Sequence, residues 1–154
     1  MTDASALTLS VDRLSDAQGR TFGPSAWKTI DQEAVDLFAR VTGDHNPIHL
    51  DADYAATTPF GTRIAHGLLT LSLVVPHMAE VFEVTDAGMG INYGMNKVRF
   101  PAPVPVGSRI RVRGEVRTVT EVAGGWQLEV PVTFEVEDGA KPACVAELVL
   151  RYYR

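Results

Sequence analysis

The 154-residue sequence has one cysteine, Cys144, so no disulfide can form within a chain. That suits a reducing compartment. Positive charge is scarce: 14 Lys and Arg against 19 Asp and Glu leave a net charge of -5. This argues against a nucleic-acid partner, which needs a basic face, but it allows an anionic ligand held by a few local cations. Long apolar runs are absent, and the longest, GLLTLSLVV, is far too short to span a bilayer. The opening MTDASALTLSVDRLSD has neither a basic segment nor an apolar one, so no secretory leader is expected. Together these absences favour a cytoplasmic protein with no membrane partner. There is no repeat and no low-complexity segment. What is present is ordinary: 45% hydrophobic and 21% charged residues, in a length suited to one domain with its own core.

The first twenty or so residues are small and polar, which reads as a peripheral N-terminal arm on a single domain spanning 1–154. SAWKTI looks like a short strand. A helix follows, with Asp31 as N-cap and Glu33 in its first turn. Val35, Phe38 and Val41 recur at helical spacing, supported by Leu37. Gly43 is placed to end the helix, and Pro47 prevents it from resuming. DADYAATTPFGTRIA reads as a helical turn and a loop. HGLLTLSLVVPHMAEVF is apolar almost all round, as a buried helix is, with Pro76 expected to kink or split it near Ser72.

The period then changes to two. Ile110, Val112 and Val116 alternate with Arg109, Arg111, Arg113, Glu115 and Arg117. Leu128, Val130, Val132, Phe134 and Val136 alternate with Gln127, Glu129, Thr133 and Glu135. Cys144, Ala146, Leu148 and Leu150 share one face, where the thiol acts as a small hydrophobe. These are antiparallel strands with one buried and one wet face, joined by turns at AGG (123–125) and EDGAK (137–141). Pro131 in mid-strand implies an edge or a bulge. The arginine row reads as a solvated sheet face. The composite is an α+β layer arrangement with an apolar helix available to cover the sheet.

The stretch TGDHNPIH (Thr42–His49) concentrates polar chemistry at the helix exit. Asp44 beside His49 can orient the imidazole and raise its basicity, so that the pair holds a water and moves a proton. Asn46 is a candidate hydrogen-bonding partner for the loop or the water. Asp and Asn are also common in turns for local reasons alone. A metal reading would use Asp44, His45 and His49. Three convergent ligands are required, and Pro47 forbids the regular helix that gives HxxxH its use, so no metal site is expected. Gly67, at the start of the apolar helix, has no side chain to keep a ligand carbonyl from its N–H. His66 beside it reads as a capped or packed histidine, and His77 as peripheral.

FARVTGDHNPIHLDADYA and ATTPFGTRIAHGLLTLSL resemble the (R)-specific enoyl-CoA hydratases among the MaoC-like dehydratases. INYGMNKVRFPAPVPVGSRIRVRGEV and KPACVAELVLRYY look like the nodulation-protein-N-like branch. The resemblance covers nearly the whole chain after about residue 20. It implies a hot-dog fold, an antiparallel sheet wrapped around a central helix, and a homodimer with its active site at the subunit interface. It also implies reversible syn addition of water to a trans-2-enoyl thioester, carried by CoA or acyl carrier protein, without a cofactor. Asp44 and His49 would activate the water, and the Gly67 amide would polarise the thioester carbonyl. A serine carried by some members aligns with Val75, leaving Thr70 and Ser72 as nearby hydroxyls, with Ser72 taken as a supporting residue and Val75 as a possible wall of the acyl tunnel. Two alternatives stand beside this: a hot-dog acyl-CoA thioesterase, and a non-catalytic acyl-thioester-binding subunit. Lys97 and Arg99 are candidate cations for the carrier's phosphates, or simply a sheet-surface pair.

Overall fold

The Asp31 carboxylate accepts from the Ala34 N–H at 2.9 Å and starts α1 (Gln32–Thr42). Gly43 ends it in the left-handed conformation, φ 77°, with its N–H on the Ala39 carbonyl. Both boundaries were set by local signals, and both are where the sequence placed them. The computed structural model describes residues 5–154. Before α1 come β1 (Leu7–Leu9), a 3-10 helix (Val11–Ala17), β2 (Thr21–Phe22) and β3 (Lys28–Thr29). After it come α2 (Pro47–Leu50), α3 (Ala52–Ala56), α4 (Gly67–Ser72) and α5 (Val74–Val81). The strands β4 (Phe82–Val84), β5 (Met89–Arg99), β6 (Arg109–Glu115), β7 (Thr118–Val122), β8 (Gly125–Val136) and β9 (Cys144–Tyr153) complete the chain.

The period-two segments form one antiparallel sheet in the order β2–β6–β8–β9–β5, with β3 also on β6 and β7 also on β8. Ile110, Val112, Leu128, Val130, Phe134, Cys144 and Leu148 are buried on its inner face. Helices α4 and α5 lie against that face through β9 and β6. This is the hot-dog arrangement. Burying each such Val, Leu or Phe contributes about 1.5–3 kcal/mol. Burial also pushes the Cys144 thiol up to about 11, which leaves it a packing group. The outer face carries cross-strand ion pairs: Arg109 with Glu137, Arg111 and Arg113 with Glu135, and Arg117 with Glu129 and Glu147. No helix among the described residues is long and apolar enough to cross a membrane.

The apolar helix is split as expected. Pro76 has no N–H to give the Ser72 carbonyl, and α4 gives way to α5 at Leu73. His77 on α5 is not peripheral. It is fully buried, and its Nδ1 lies 2.8 Å from Ser25 Oγ, which itself accepts from the Val112 N–H at 3.0 Å. That chain of contacts pins the helix to the sheet.

Three other expectations are corrected. Pro131 lies on neither an edge nor a bulge: β8 runs between neighbours on both sides. Residues 125–129 pair with β7 and 132–136 with β6, so Pro131 falls in the gap where that side has no ladder bond to lose. Leu37 and Val41 of α1 are exposed, while Val35 and Ala39 face the core. The N-terminal segment is no peripheral arm over its described part. Leu7, Val11, Leu14 and Ala17 are buried in the main core, and β1 pairs in parallel with β4. Its polar residues hid these apolar ones at short-range spacing. Leu14→Ala should therefore cost about 2–5 kcal/mol in denaturant unfolding, against under about 0.5 for a surface arm.

Candidate active site

The loop after Gly43 is organised by its own side chains. Asp44 Oδ1 accepts from the Asn46 N–H at 3.3 Å, and Asn46 Oδ1 accepts from the Ile48 N–H at 3.2 Å. Asn46 thereby caps α2, with Pro47 at its first turn. The Asn46 oxygen is spent on the backbone, so the residue shapes the loop. His49 is carried on α2 and is 7% exposed. The Gln32 amide donates to the His49 carbonyl at 3.0 Å and ties α1 to α2.

A second segment runs alongside. The Ile64 N–H donates to the Ile48 carbonyl at 3.2 Å, and the Ala65 N–H to the Val104 carbonyl at 2.8 Å. Residues 64–67 are thus clamped between the loop and the approach to β6. His49 Nδ1 lies 2.7 Å from the Ile64 carbonyl. A carbonyl can only accept, so Nδ1 carries the hydrogen and Nε2 keeps a lone pair. Burial is the largest influence on His49 and lowers its pKa from 6.5. The Ile64 bond raises it, His66 lowers it, and Asp44 raises it.

The structure brings Asp44, His49 and His66 together, with one donor atom of each within 4.8 Å of the others. His66 was not among the expected site residues. Its Nε2 lies 3.1 Å from the Asp44 carbonyl, and its ring faces His49 with centroids 3.8 Å apart. The cluster has the composition of a metal site. The two rings face one another at 31°. One nitrogen of each ring already points at a carbonyl. His45, the third ligand of the metal reading, is exposed and outside the cluster.

Gly67 borders a cavity of about 300 Å³, lined mainly by Phe60, Ile64, Thr70, Phe100 and Val104. A Cβ at Gly67 would stand 3.0 Å from the Phe100 ring, so the absent side chain gives room for this wall. Thr70 is buried, and its hydroxyl has no protein partner. Ser72 and Val75 are not part of this site. Ser72 is exposed and donates to the Leu68 carbonyl at 2.8 Å, one turn back in its own helix. Val75 is exposed and borders a groove with Met78, Phe82 and Tyr152 instead. Ser72 shares α4 with Gly67 but points to another face of it, and Val75 lies beyond the break at Leu73. Lys97 pairs with Glu147 at 3.6 Å, and Arg99 donates to the Val98 carbonyl.

Residues 13–137 match the family described as the MaoC like domain. The chain belongs to the MaoC-like family. The MaoC-like chain is 51% identical over 144 residues to the 3-hydroxyacyl-thioester dehydratase Z of Mycobacterium tuberculosis, covering 93% of this chain and 95% of that one. It is 41% identical over 135 residues to nodulation protein N of Rhizobium leguminosarum, covering 85% and 83%. Among solved structures it is similar to the unliganded R-hydratase of Pseudomonas aeruginosa, with TM-score 0.71, 31% identity, and 89% and 82% of the two chains covered.

His49 should titrate below 6.5 in histidine NMR spectra. Asp44→Asn removes an upward influence and should move that midpoint lower still. An upward shift in the variant would separate the two residues electrostatically.

Proposed function

We propose that this protein is an (R)-specific hydratase and dehydratase of acyl thioesters. It adds water reversibly and syn to a trans-2-enoyl-CoA, or to the matching acyl carrier protein thioester, giving the (R)-3-hydroxyacyl thioester. The observation that carries this reading is the fixed tautomer of His49. It leaves Nε2 as a base near the Asp44 carboxylate, and Ile64, whose carbonyl holds the ring, also lines the apolar cavity bordered by Gly67. The names of the relatives support the same reaction class.

The chemistry balances without another reactant. Asp44 and His49 hold one water, and His49 Nε2 takes its proton as the oxygen bonds to C3. The C2–C3 electron pair moves toward the thioester, and charge develops on its oxygen. The Gly67 N–H donates to that oxygen, an interaction of a kind worth about 2.7–4 kcal/mol. The proton then passes to C2 from the same face, which accounts for syn addition. Lowering of the His49 pKa by burial keeps the ring neutral at pH 7, the form a base requires.

Asp44→Asn and His49→Gln should each fold normally and lose about 10²–10⁴-fold in crotonyl-CoA hydration, followed as loss of enoyl absorbance. Chiral analysis of the product should give the (R) alcohol. Near-wild-type rates in either variant would end this mechanism, and release of free thiol would mark a thioesterase instead.

The active form is a homodimer in this reading. Strand β5 pairs with β9 along one edge, and no strand among the described residues pairs with the other. Met89, Ile91, Tyr93 and Met95 on it are all exposed, and an uncovered apolar edge favours a second copy. Sedimentation should give twice the chain mass of 16.7 kDa. The double variant Ile91→Lys, Met95→Lys should sediment as a monomer, and a wild-type monomer would remove the dimer from the proposal.

A further inference from the structure

His66 is 2% exposed and sits where three parts of the site meet. Its ring packs between His49, at 3.8 Å between centroids, and Phe38, at 4.9 Å. Its Nε2 reaches the Asp44 carbonyl at 3.1 Å, and the next residue is Gly67. Because a carbonyl only accepts, Nε2 must be the donor. In the neutral ring the lone pair is then on Nδ1, which is buried without a protein partner.

A residue kept only for packing would be apolar here. It would fill the slot between two rings and leave no buried nitrogen unpaired, which carries a penalty. The histidine is therefore explained by its Nε2–H. Asp44 is exposed, in a turn where its carboxylate bonds only the Asn46 N–H of its own loop. Its backbone has two near-neighbour bonds, its own N–H to Thr42 Oγ1 at 3.3 Å and the His45 N–H to the Gly43 carbonyl at 3.1 Å, and the long-range hold on its carbonyl comes from His66. Rotation of that peptide would swing the carboxylate away from His49. The His49 ring is fixed at one edge by Ile64 and covered on one face by His66.

We infer that His66 is a positioning residue for the Asp44–His49 pair. Its Nε2–H locks the Asp44 peptide, and its ring sets the plane of His49. This rests on the reading that Asp44 and His49 move the proton, and it assigns His66 no contact with substrate.

The test compares two variants on the full-length protein. His66→Phe keeps the stack and removes the donor, while His66→Gln keeps an amide donor near the Nε2 position. With crotonyl-CoA, His66→Phe should lose about 10–100-fold in kcat, as a misplaced group does, with KM changed less than about twofold. His66→Gln should recover most of that loss, although its melting temperature should be the lower of the two. Recovery by the less stable variant is what a purely structural role would not give. Wild-type kcat in His66→Phe, or equal losses in both variants tracking their melting temperatures, would overturn the inference. Nitrogen-15 histidine spectra provide a readout independent of turnover. His66 should appear as the Nε2–H tautomer, and an Nδ1–H or averaged signal would overturn the inference even in an active enzyme. If the wild-type protein hydrates no enoyl thioester, or if His49→Gln is fully active, it is the proposed function that fails. The spectra then decide the His66 assignment by themselves.

Discussion

The hydrogen bond from His49 Nδ1–H to the Ile64 carbonyl decides what this site can do. Without it either ring nitrogen could hold the proton, and the base of the proposed reaction would be available only part of the time. With it, Nε2 is committed as the lone pair. The bond is buried, so an unmade partner would cost about 1–3 kcal/mol, and the tautomer is held by that penalty rather than by the bond's modest net strength. Burial and hydrogen bonding then act on His49 in opposite directions. Desolvation lowers its pKa more than the carbonyl raises it, and Asp44 moderates the result.

The rest of the fold keeps Ile64 in place for that bond. The segment from Arg63 to His66 has no helix or strand of its own before α4. It borrows order from both sides, through Ala65 to Val104, Val106 to Arg63, and Ile64 to Ile48. Residues 104–106 lead into β6, which is locked into the sheet by β8. The loop that carries Asp44 and His49 is thus attached to the core through a chain of backbone bonds, and its own residues have only to shape the turn. Gly43 ends the helix, and the Asp44 and Asn46 side chains with Pro47 set the exit.

The sequence was legible wherever the signal was local. Asp31 and Gly43 mark the ends of α1 because capping is settled within three or four residues. The strands could be read because a period of two sorts side chains by face, and Pro76 broke the helix where its missing N–H required. What escaped depends on distant partners. Asp44 and His49 are five positions apart and could be paired by eye. His66 is 22 residues from Asp44, Ile64 is 15 from His49, and Ser25 is 52 from His77. None of these pairings leaves a periodic trace. Ser72 shows a related limit: nearness to Gly67 in sequence does not say which face of α4 it takes, and its hydroxyl is bonded to the Leu68 carbonyl. The HG pair was the local sign available, since it sets His66 directly before the glycine that borders the cavity.

Asp44 and His49 lie on opposite sides of the surface boundary, one exposed and one buried. Under the proposed function, that asymmetry suits a neutral imidazole base next to a carboxylate. Burying both would make the carboxylate expensive, and exposing both would let bulk water compete for the single molecule to be activated. Under the proposed function, a thioester held between the pair and Gly67 would cover Asp44 only while bound, and the resting protein would not carry the cost of a desolvated charge. On this view His66 is needed because Asp44 is left in solvent. An exposed carboxylate in a short turn has few contacts of its own to hold its direction, and the constraint has to come through its backbone from the buried side.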